Sequence, residues 1–367
     1  MKGLILAGGL GTRLRPITHT SAKQLVPVAN KPILFYGIEH MAEVGITDIA
    51  IVVGEAGEEV REAVGDGSRW GVEITYLPQA APLGLAHCVL IARDFLGEDD
   101  FVMYLGDNML QQGLGGLMDT FRADQAAAST PSLDHQPPAP AAHILLCEVP
   151  DPQRFGVAEL SAGRVSRLVE KPAEPRSNLA MVGVYLFTPA IHEAVAAIEP
   201  SARGELEIVD AVQWLIDHGH PVHHDLLVGW WLDTGKKDSL LEANRRVLES
   251  LEQRVDGKVD DGSEIDGRVV VEAGAELINA TVRGPAIIGT DARIVDSYIG
   301  PFTSVGAEVV IERSEVENSV LLERVRLDGV PRLVDSLIGR DTVVTRSEQT
   351  PRATRLLLGD HCSVDLQ

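Results

Sequence analysis

The stretch Leu4-Ile-Leu-Ala-Gly-Gly-Leu-Gly-Thr-Arg-Leu-Arg-Pro16 decides how the rest of the chain is read. An apolar run almost at the N-terminus breaks into three glycines before any helix can begin. Such a run reads as a strand buried on both faces, the kind found in parallel sheets. Glycines behind it let the backbone approach a ligand and turn N–H groups toward it. Arg13, Arg15 and the later Lys23 supply the positive charge that a triphosphate needs. Two familiar glycine loops do not fit. A dinucleotide fingerprint needs a third small residue where this chain has Leu14, and a P-loop closes on Gly-Lys-Ser/Thr where it has Gly11-Thr12-Arg13. A plain strand-to-helix turn accounts for the glycines, but the cluster of cations around Pro16 weighs against it.

The bulk composition bounds the partners. A chain of 367 residues can hold two domains, and 45% hydrophobic residues suit a globular protein. Acidic residues outnumber basic ones, 54 to 32, for a net charge of -22. That argues against nucleic acid or an anionic membrane as partner, because both reward basic patches. It also means that any phosphate site must gather its cations locally. Cys88, Cys147 and Cys362 are far apart and follow no metal or redox spacing, so a reducing cytoplasm is expected. No signal peptide or membrane span is expected either.

Along the first part of the chain, short apolar runs at 4–7, 48–53, 72–77, 101–105 and 143–149 alternate with helical patterns. The helices are predicted from Pro32 to Gly45 and over 58–64, 84–93 and 115–124. This alternation predicts an α/β fold with a mixed, mainly parallel sheet covered on both faces. Ligands in such sheets bind at the strands' carboxyl ends, where both the 8–15 loop and the Gly106-Asp107-Asn108 turn fall. Residues 124–142, rich in Pro, Ala and Ser, predict a flexible surface loop. From 151 to 252, further strands at 156–160, 165–169, 181–187 and 222–227 and helices at 191–198, 207–218 and 237–252 complete the same domain.

After about residue 254 the pattern changes. Steps of six, five and six residues from Val271 reach Leu277, Val282, Ile288, Ile294, Ile299, Val305, Ile311, Val316 and Leu322, all aliphatic. A period of about seventeen residues winds the chain into a three-sided coil, a parallel β-helix of hexapeptide type. The two domains are expected at 1–254 and 255–367, with a loop at 351–355 before a last strand.

Gly8-Gly-Leu-Gly-Thr-Arg-Leu-Arg-Pro16 followed by Lys23 resembles the signature loop of the sugar-phosphate nucleotidylyltransferases, and the likeness runs over nearly the whole chain. The resemblance implies a Rossmann-like catalytic domain, a left-handed β-helix behind it, and homo-oligomers. It implies transfer of a thymidylyl group from dTTP to glucose 1-phosphate, assisted by Mg2+. Gly8, Gly9, Gly11, Thr12 and Arg13 would hold the triphosphate, Lys23 would act at the α-phosphate, and Gln79 and Gly84 would read the base. Gly156, Glu170, Lys171 and Arg203 would hold the sugar phosphate, with Asp107 and Asp233 on the metal and Asp107 also toward the nucleotide. The residue types suit those tasks. Asp107, in Tyr104-Leu-Gly-Asp-Asn, sits at a strand end where an Asx turn would otherwise explain it. Asp233, in Trp230-Trp-Leu-Asp-Thr-Gly, could instead cap the following helix. Magnesium takes one or two carboxylates with substrate phosphates.

Some positions depart from the family pattern. Leu83 stands where short forms commonly carry Asp, Phe155 where they often carry Tyr, and Val182 where some carry Thr. UTP or another hexose phosphate is the alternative within the same reaction, since one methyl group discriminates by only about 1–3 kcal/mol. A silent regulatory subunit would typically have lost Arg13, Lys23, Asp107, Lys171 and Asp233, all present here. Acetyl transfer in the coil would use a histidine, but none lies between His224 and His361.

Overall fold

The computed structural model describes residues 1–9, 11–19, 21–129, 139–346 and 359–365. The chain divides into two compact units, Met1–Leu10 with Leu34–Leu232, and Gly11–Ile33 with Asp233–Gln367.

The first unit is built on a nine-stranded sheet. Its strands are β1 (Lys2–Ala7), β2 (Asp48–Val53), β3 (Glu73–Pro78), β4 (Phe101–Leu105), β5 (Ala142–Glu148), β6 (Gly156–Ser161), β7 (Arg164–Glu170), β8 (Leu179–Phe187) and β9 (Val222–Leu226). The main order is β7-β6-β8-β4-β1-β2-β3, with β5 pairing β8 and β9 pairing β5. Strands β4, β1, β2 and β3 run parallel, while β8 runs antiparallel to β4, so the sheet is mixed, as expected. From β1 the chain steps outward to β2 and β3, then returns to the other flank of β1 as β4. That reversal makes the carboxyl ends of β1 and β4 a topological switch point, where open α/β sheets hold ligands.

Burial explains the unbroken apolar runs. Leu4 and Ile5 are fully buried on opposite faces of β1, each worth roughly 1.5–3 kcal/mol relative to an exposed side chain. Leu4 and Leu6 pack with Ala50, Val52, Phe101 and Met103, and with Ala86 and Val89 of helix Leu85–Ile91. The loop predicted over 124–142 is shorter than expected. Helix Gly115–Ser129 continues through its first part, and β5 takes up Ala142 because that residue is fully buried in the sheet. Residues 130–138, the centre of that loop, lie outside the described residues, as does the loop expected at 351–355.

The second unit holds three stacks of short parallel strands, of six, six and five strands, forming a left-handed parallel β-helix. Val271 stacks on Ile288 and Ile288 on Val305, Leu277 on Ile294 and Ile294 on Ile311, and Val282 on Ile299 and Ile299 on Val316. These nine are almost completely buried. Leu322 is the exception to the predicted ladder: the residue stacked on Val305 is Leu321. The corner ahead of it, Glu317-Asn318, lacks the proline found at Pro285 and Pro301 and closes with one residue fewer. Asp and Asn recur at corners in the left-handed region, as at Asn279 (φ 47°), Asp296 (φ 47°) and Asn318 (φ 42°), because their short polar chains tolerate it.

Within this unit, helix Lys237–Leu248 carries Asn244 onto the coil. The tight turn Ala29-Asn30, with φ 48° and 62°, joins the ribbon strands Pro27–Val28 and Lys31–Pro32. Asn244, fully buried, accepts from the Ala29 N–H at 2.9 Å and the Ser304 hydroxyl at 2.6 Å, and donates to the Phe302 carbonyl at 3.0 Å. Asn30 donates to the Val305 carbonyl at 2.8 Å. Asn244→Ala leaves buried polar groups unpaired at a cost of roughly 2–4 kcal/mol. Differential scanning calorimetry of the full chain should show a transition lowered by about 5–10 °C.

Candidate active site

The switch point is assembled from backbone first. The Gly106 N–H donates to the Leu6 carbonyl at 2.9 Å, fastening the turn after β4 to the end of β1. The Gln79 N–H likewise donates to the Val53 carbonyl at 2.8 Å. Gly8 and Gly54 pass so close that a Cβ on Gly54 would lie 2.6 Å from the Gly8 oxygen, so a side chain there is excluded. Gly8 and Gly9, Gly54, Gln79 and Asp107 therefore leave the same edge of the sheet from four parallel strands.

Asp107 is half-buried and does not act alone. The Asn108 amide donates to its Oδ1 at 3.1 Å, and the Trp231 indole N–H donates to Asn108 Oδ1 at 2.5 Å. Burial first, and the Asp107 charge second, push the Tyr104 phenol well above its ordinary range. It stays protonated and donates to the Asn108 carbonyl at 3.3 Å.

Gln79 and Gly84 come together beside this edge. Gly84, at φ 103°, lies against Leu206, and a Cβ there would sit 2.3 Å from the Leu206 oxygen. The Leu206 N–H donates to the Leu83 carbonyl at 2.8 Å, and the Ala86 N–H donates to the Leu206 carbonyl at 3.0 Å. The loop carrying Gly84 and the segment 201–207 are thus one backbone-linked structure.

Gly156, Glu170, Lys171 and Arg203 also gather in this unit. Gly156 pairs with Glu170 across β6 and β7. The Lys171 N–H donates to the Phe155 carbonyl at 3.0 Å, which holds Lys171 in the left-handed region at φ 41°. Lys171 Nζ lies 2.8 Å from Glu170 Oε1, and the Arg203 guanidinium 3.3 Å from the same oxygen. Arg203 is anchored by buried Glu207, its Nη2 2.8 Å and Nε 3.2 Å from Oε1, an atom that also accepts from the Ser201 hydroxyl at 2.8 Å. A cavity of about 810 Å³ opens here, lined by Glu170, Lys171, Arg203, Glu207 and Asp210 among others. Burial, then the Glu207 and Glu170 charges, raise the Asp210 carboxyl above its ordinary value.

The remaining candidates belong to the second unit. Gly11, at φ 62°, packs on Lys23, and its carbonyl accepts from the Thr18 hydroxyl at 2.7 Å. Thr12 and Arg13 lie in the short turn that follows, Thr12–Leu14. Arg13 Nη2 lies 3.8 Å from Asp233 Oδ2, while Asp233 Oδ1 accepts from the Gly235 N–H at 3.0 Å. Among the described residues, no group of three or more His, Cys, Asp and Glu side chains could hold a metal by itself. No helix among them is long and apolar enough to cross a membrane.

Residues 2–250 match the family model described as nucleotidyl transferase. The chain belongs to the nucleotidyl transferase family. It is 58% identical over 362 residues to a glucose-1-phosphate thymidylyltransferase of Streptomyces griseus, covering 98% of both chains. A second, from Streptomyces antibioticus, is 56% identical over 368 residues and covered end to end. A solved structure from Bacillus anthracis, assigned the same activity and holding a sucrose, superposes with a TM-score of 0.61 at 34% identity. It spans 69% of this chain and 97% of its own.

In this nucleotidyl transferase, sequence reading missed the residues that hold the others. Asn108 and Trp231 stand inside motifs read above, and Leu206 and Glu207 shortly after Arg203, but none signals its role, because that role depends on where a side chain or a backbone group points. A pattern of buried polar residues, which needs coordinates, is what reveals Glu207 and Asn108. Asp210 yields a pH prediction. Its carboxyl binds its proton more tightly folded than unfolded, so folding loses stability as pH rises through the carboxylate range. Asp210→Asn should therefore raise the thermal midpoint at pH 7, with the gain vanishing below about pH 4. Thermal melts of both chains at the two pH values measure it.

Proposed function

We propose that this nucleotidyl transferase moves the thymidylyl group of dTTP onto glucose 1-phosphate, yielding dTDP-glucose and pyrophosphate. The observation that carries this reading is the switch point, where the Gly8-Gly9 loop, Gln79 and Asp107 leave one sheet edge in the same unit as the Glu170, Lys171 and Arg203 cavity. The full-length likeness to enzymes named for this activity supports the choice of substrates.

A phosphate oxygen of glucose 1-phosphate attacks the α-phosphorus of dTTP. The bond from that phosphorus to the bridging oxygen of the β-phosphate breaks, and pyrophosphate leaves with the electron pair. The nucleophile is already an anion, so no proton moves. The chain's task is to hold two anions in line and offset their charge. Gly8, Gly9, Gly11 and Thr12 supply backbone N–H groups to the triphosphate, and Arg13 and Lys23 supply its cations. Gln79 and the Gly84 backbone meet the base. Lys171 and Arg203 meet the sugar phosphate while Glu170 accepts from sugar hydroxyls, and Gly156, where a Cβ would lie 2.5 Å from Val209, meets the sugar through its backbone.

The carboxylates of Asp107 and Asp233 are hard oxygen donors of the kind magnesium prefers, with phosphates and water completing its shell. When bound there, magnesium neutralises phosphate charge. We assign this chemistry to residues 1–254, and association and stability of a homo-oligomer to the coil at 255–367.

The test is pyrophosphate release with dTTP and UTP against glucose, galactose and mannose 1-phosphates. We expect dTTP with glucose 1-phosphate to have the highest kcat/KM, and a clear preference for UTP overturns the base assignment. Asp107→Asn and Lys171→Ala should each lose about 100-fold or more in kcat/KM with an unchanged melt, and EDTA should stop turnover until Mg2+ is restored. Near-normal rates in both variants would refute the site.

A further inference from the structure

The Gln79 side chain is held in one orientation by groups outside the glycine loop. Its Nε2 lies 3.3 Å from the Gly84 carbonyl oxygen and 3.1 Å from His87 Nδ1. A carbonyl oxygen can only accept, so the atom facing it is the amide's donor. An imidazole nitrogen that faces an N–H is the unprotonated one, so Nδ1 accepts and the other ring nitrogen carries the proton. Both amide hydrogens are then taken up by Gly84 and His87. The amide oxygen is turned the other way, 3.2 Å from where a Cβ on Gly8 would be. Gln79 thus presents an acceptor, and no donor, toward the Gly8 edge. Turning the amide over would set its oxygen against two acceptors, the Gly84 oxygen and His87 Nδ1.

We propose that His87 is a positioning residue that fixes Gln79 as a hydrogen-bond acceptor toward the base. It thereby selects pyrimidines that carry a proton on N3, thymine and uracil, over cytosine, whose N3 is an acceptor. The inference rests on the reading above that Gln79 faces the base. The cytosine ring would bring its own acceptor against the Gln79 oxygen, leaving two buried acceptors opposed. His87 lies in helix Leu85–Ile91, is half-buried, and contacts neither reacting phosphate in this assignment.

The experiment measures pyrophosphate release by the full chain with dTTP, UTP and dCTP, at saturating glucose 1-phosphate. His87→Leu removes the acceptor and should lower the dTTP:dCTP ratio of kcat/KM by roughly fivefold or more. The dTTP:UTP ratio and the KM for glucose 1-phosphate should not move, because neither the methyl group nor the sugar phosphate is read by this amide. His87→Asn, whose side-chain oxygen can replace Nδ1, should restore the dTTP:dCTP ratio. An unchanged dTTP:dCTP ratio in His87→Leu overturns the proposal, as does a loss in His87→Asn as large as that in His87→Leu. Parallel losses across all three nucleotides in His87→Leu overturn it too, since they mark a general loosening of the loop. A wild-type chain that turns over neither dTTP nor UTP overturns the reading of the whole site, and this inference with it.

Discussion

The parallel pairing of β1 with β4 is the constraint on which the first unit depends. Register matches Leu6 to Leu105, so the two strands end together and the Gly106 N–H reaches the Leu6 carbonyl. A glycine loop and a carboxylate turn then leave from adjacent positions on one edge. Because β2 and β3 lie on the other flank of β1, the loops beginning at Gly54 and Gln79 join the same edge. Nothing in any one loop places it there. The sheet order does.

Charge is managed locally in this acidic chain. Arg203 is pinned by Glu170, Glu205 and Glu207, and Lys171 by Glu170. Of these carboxylates, Glu207 is the buried one, so it fixes geometry and is little screened by solvent. Holding a cation with carboxylates before an anion arrives lowers the entropy lost on binding. The same crowding of carboxylates shows at Asp210, whose carboxyl is raised above its ordinary value by burial first and by the Glu207 and Glu170 charges next.

The second unit stabilises itself by repetition. Each aliphatic rung covers the one before, and polar corners satisfy their own backbone. The Ser314 N–H donates to Ser297 Oγ at 3.1 Å and the Ser336 N–H to Ser319 Oγ at 3.1 Å, so serines placed seventeen residues apart close successive turns. Asn279 and Asp296 form a similar ladder at 2.6 Å. One corner with a residue fewer, between Val316 and Leu321, is absorbed without interrupting the stacking.

Much of this was legible in the amino-acid order because it depends on local periodicity. Continuous apolar runs marked the buried strands, and steps of five and six marked the coil with nine of ten rungs in place. The glycine loop with its cations pointed to the family to which the chain belongs, since residue type and spacing carry that signal. Other features were decided by the tertiary structure alone. Leu321 in place of Leu322 depends on how many residues a corner needs, and a corner's length is set by backbone dihedrals. The clamp of Glu207 on Arg203, the relay from Trp231 through Asn108 to Asp107, and the hold of His87 on Gln79 depend on side-chain direction. A hydrogen bond is settled within a few tenths of an ångström, a precision that hydrophobic pattern does not carry and packing does.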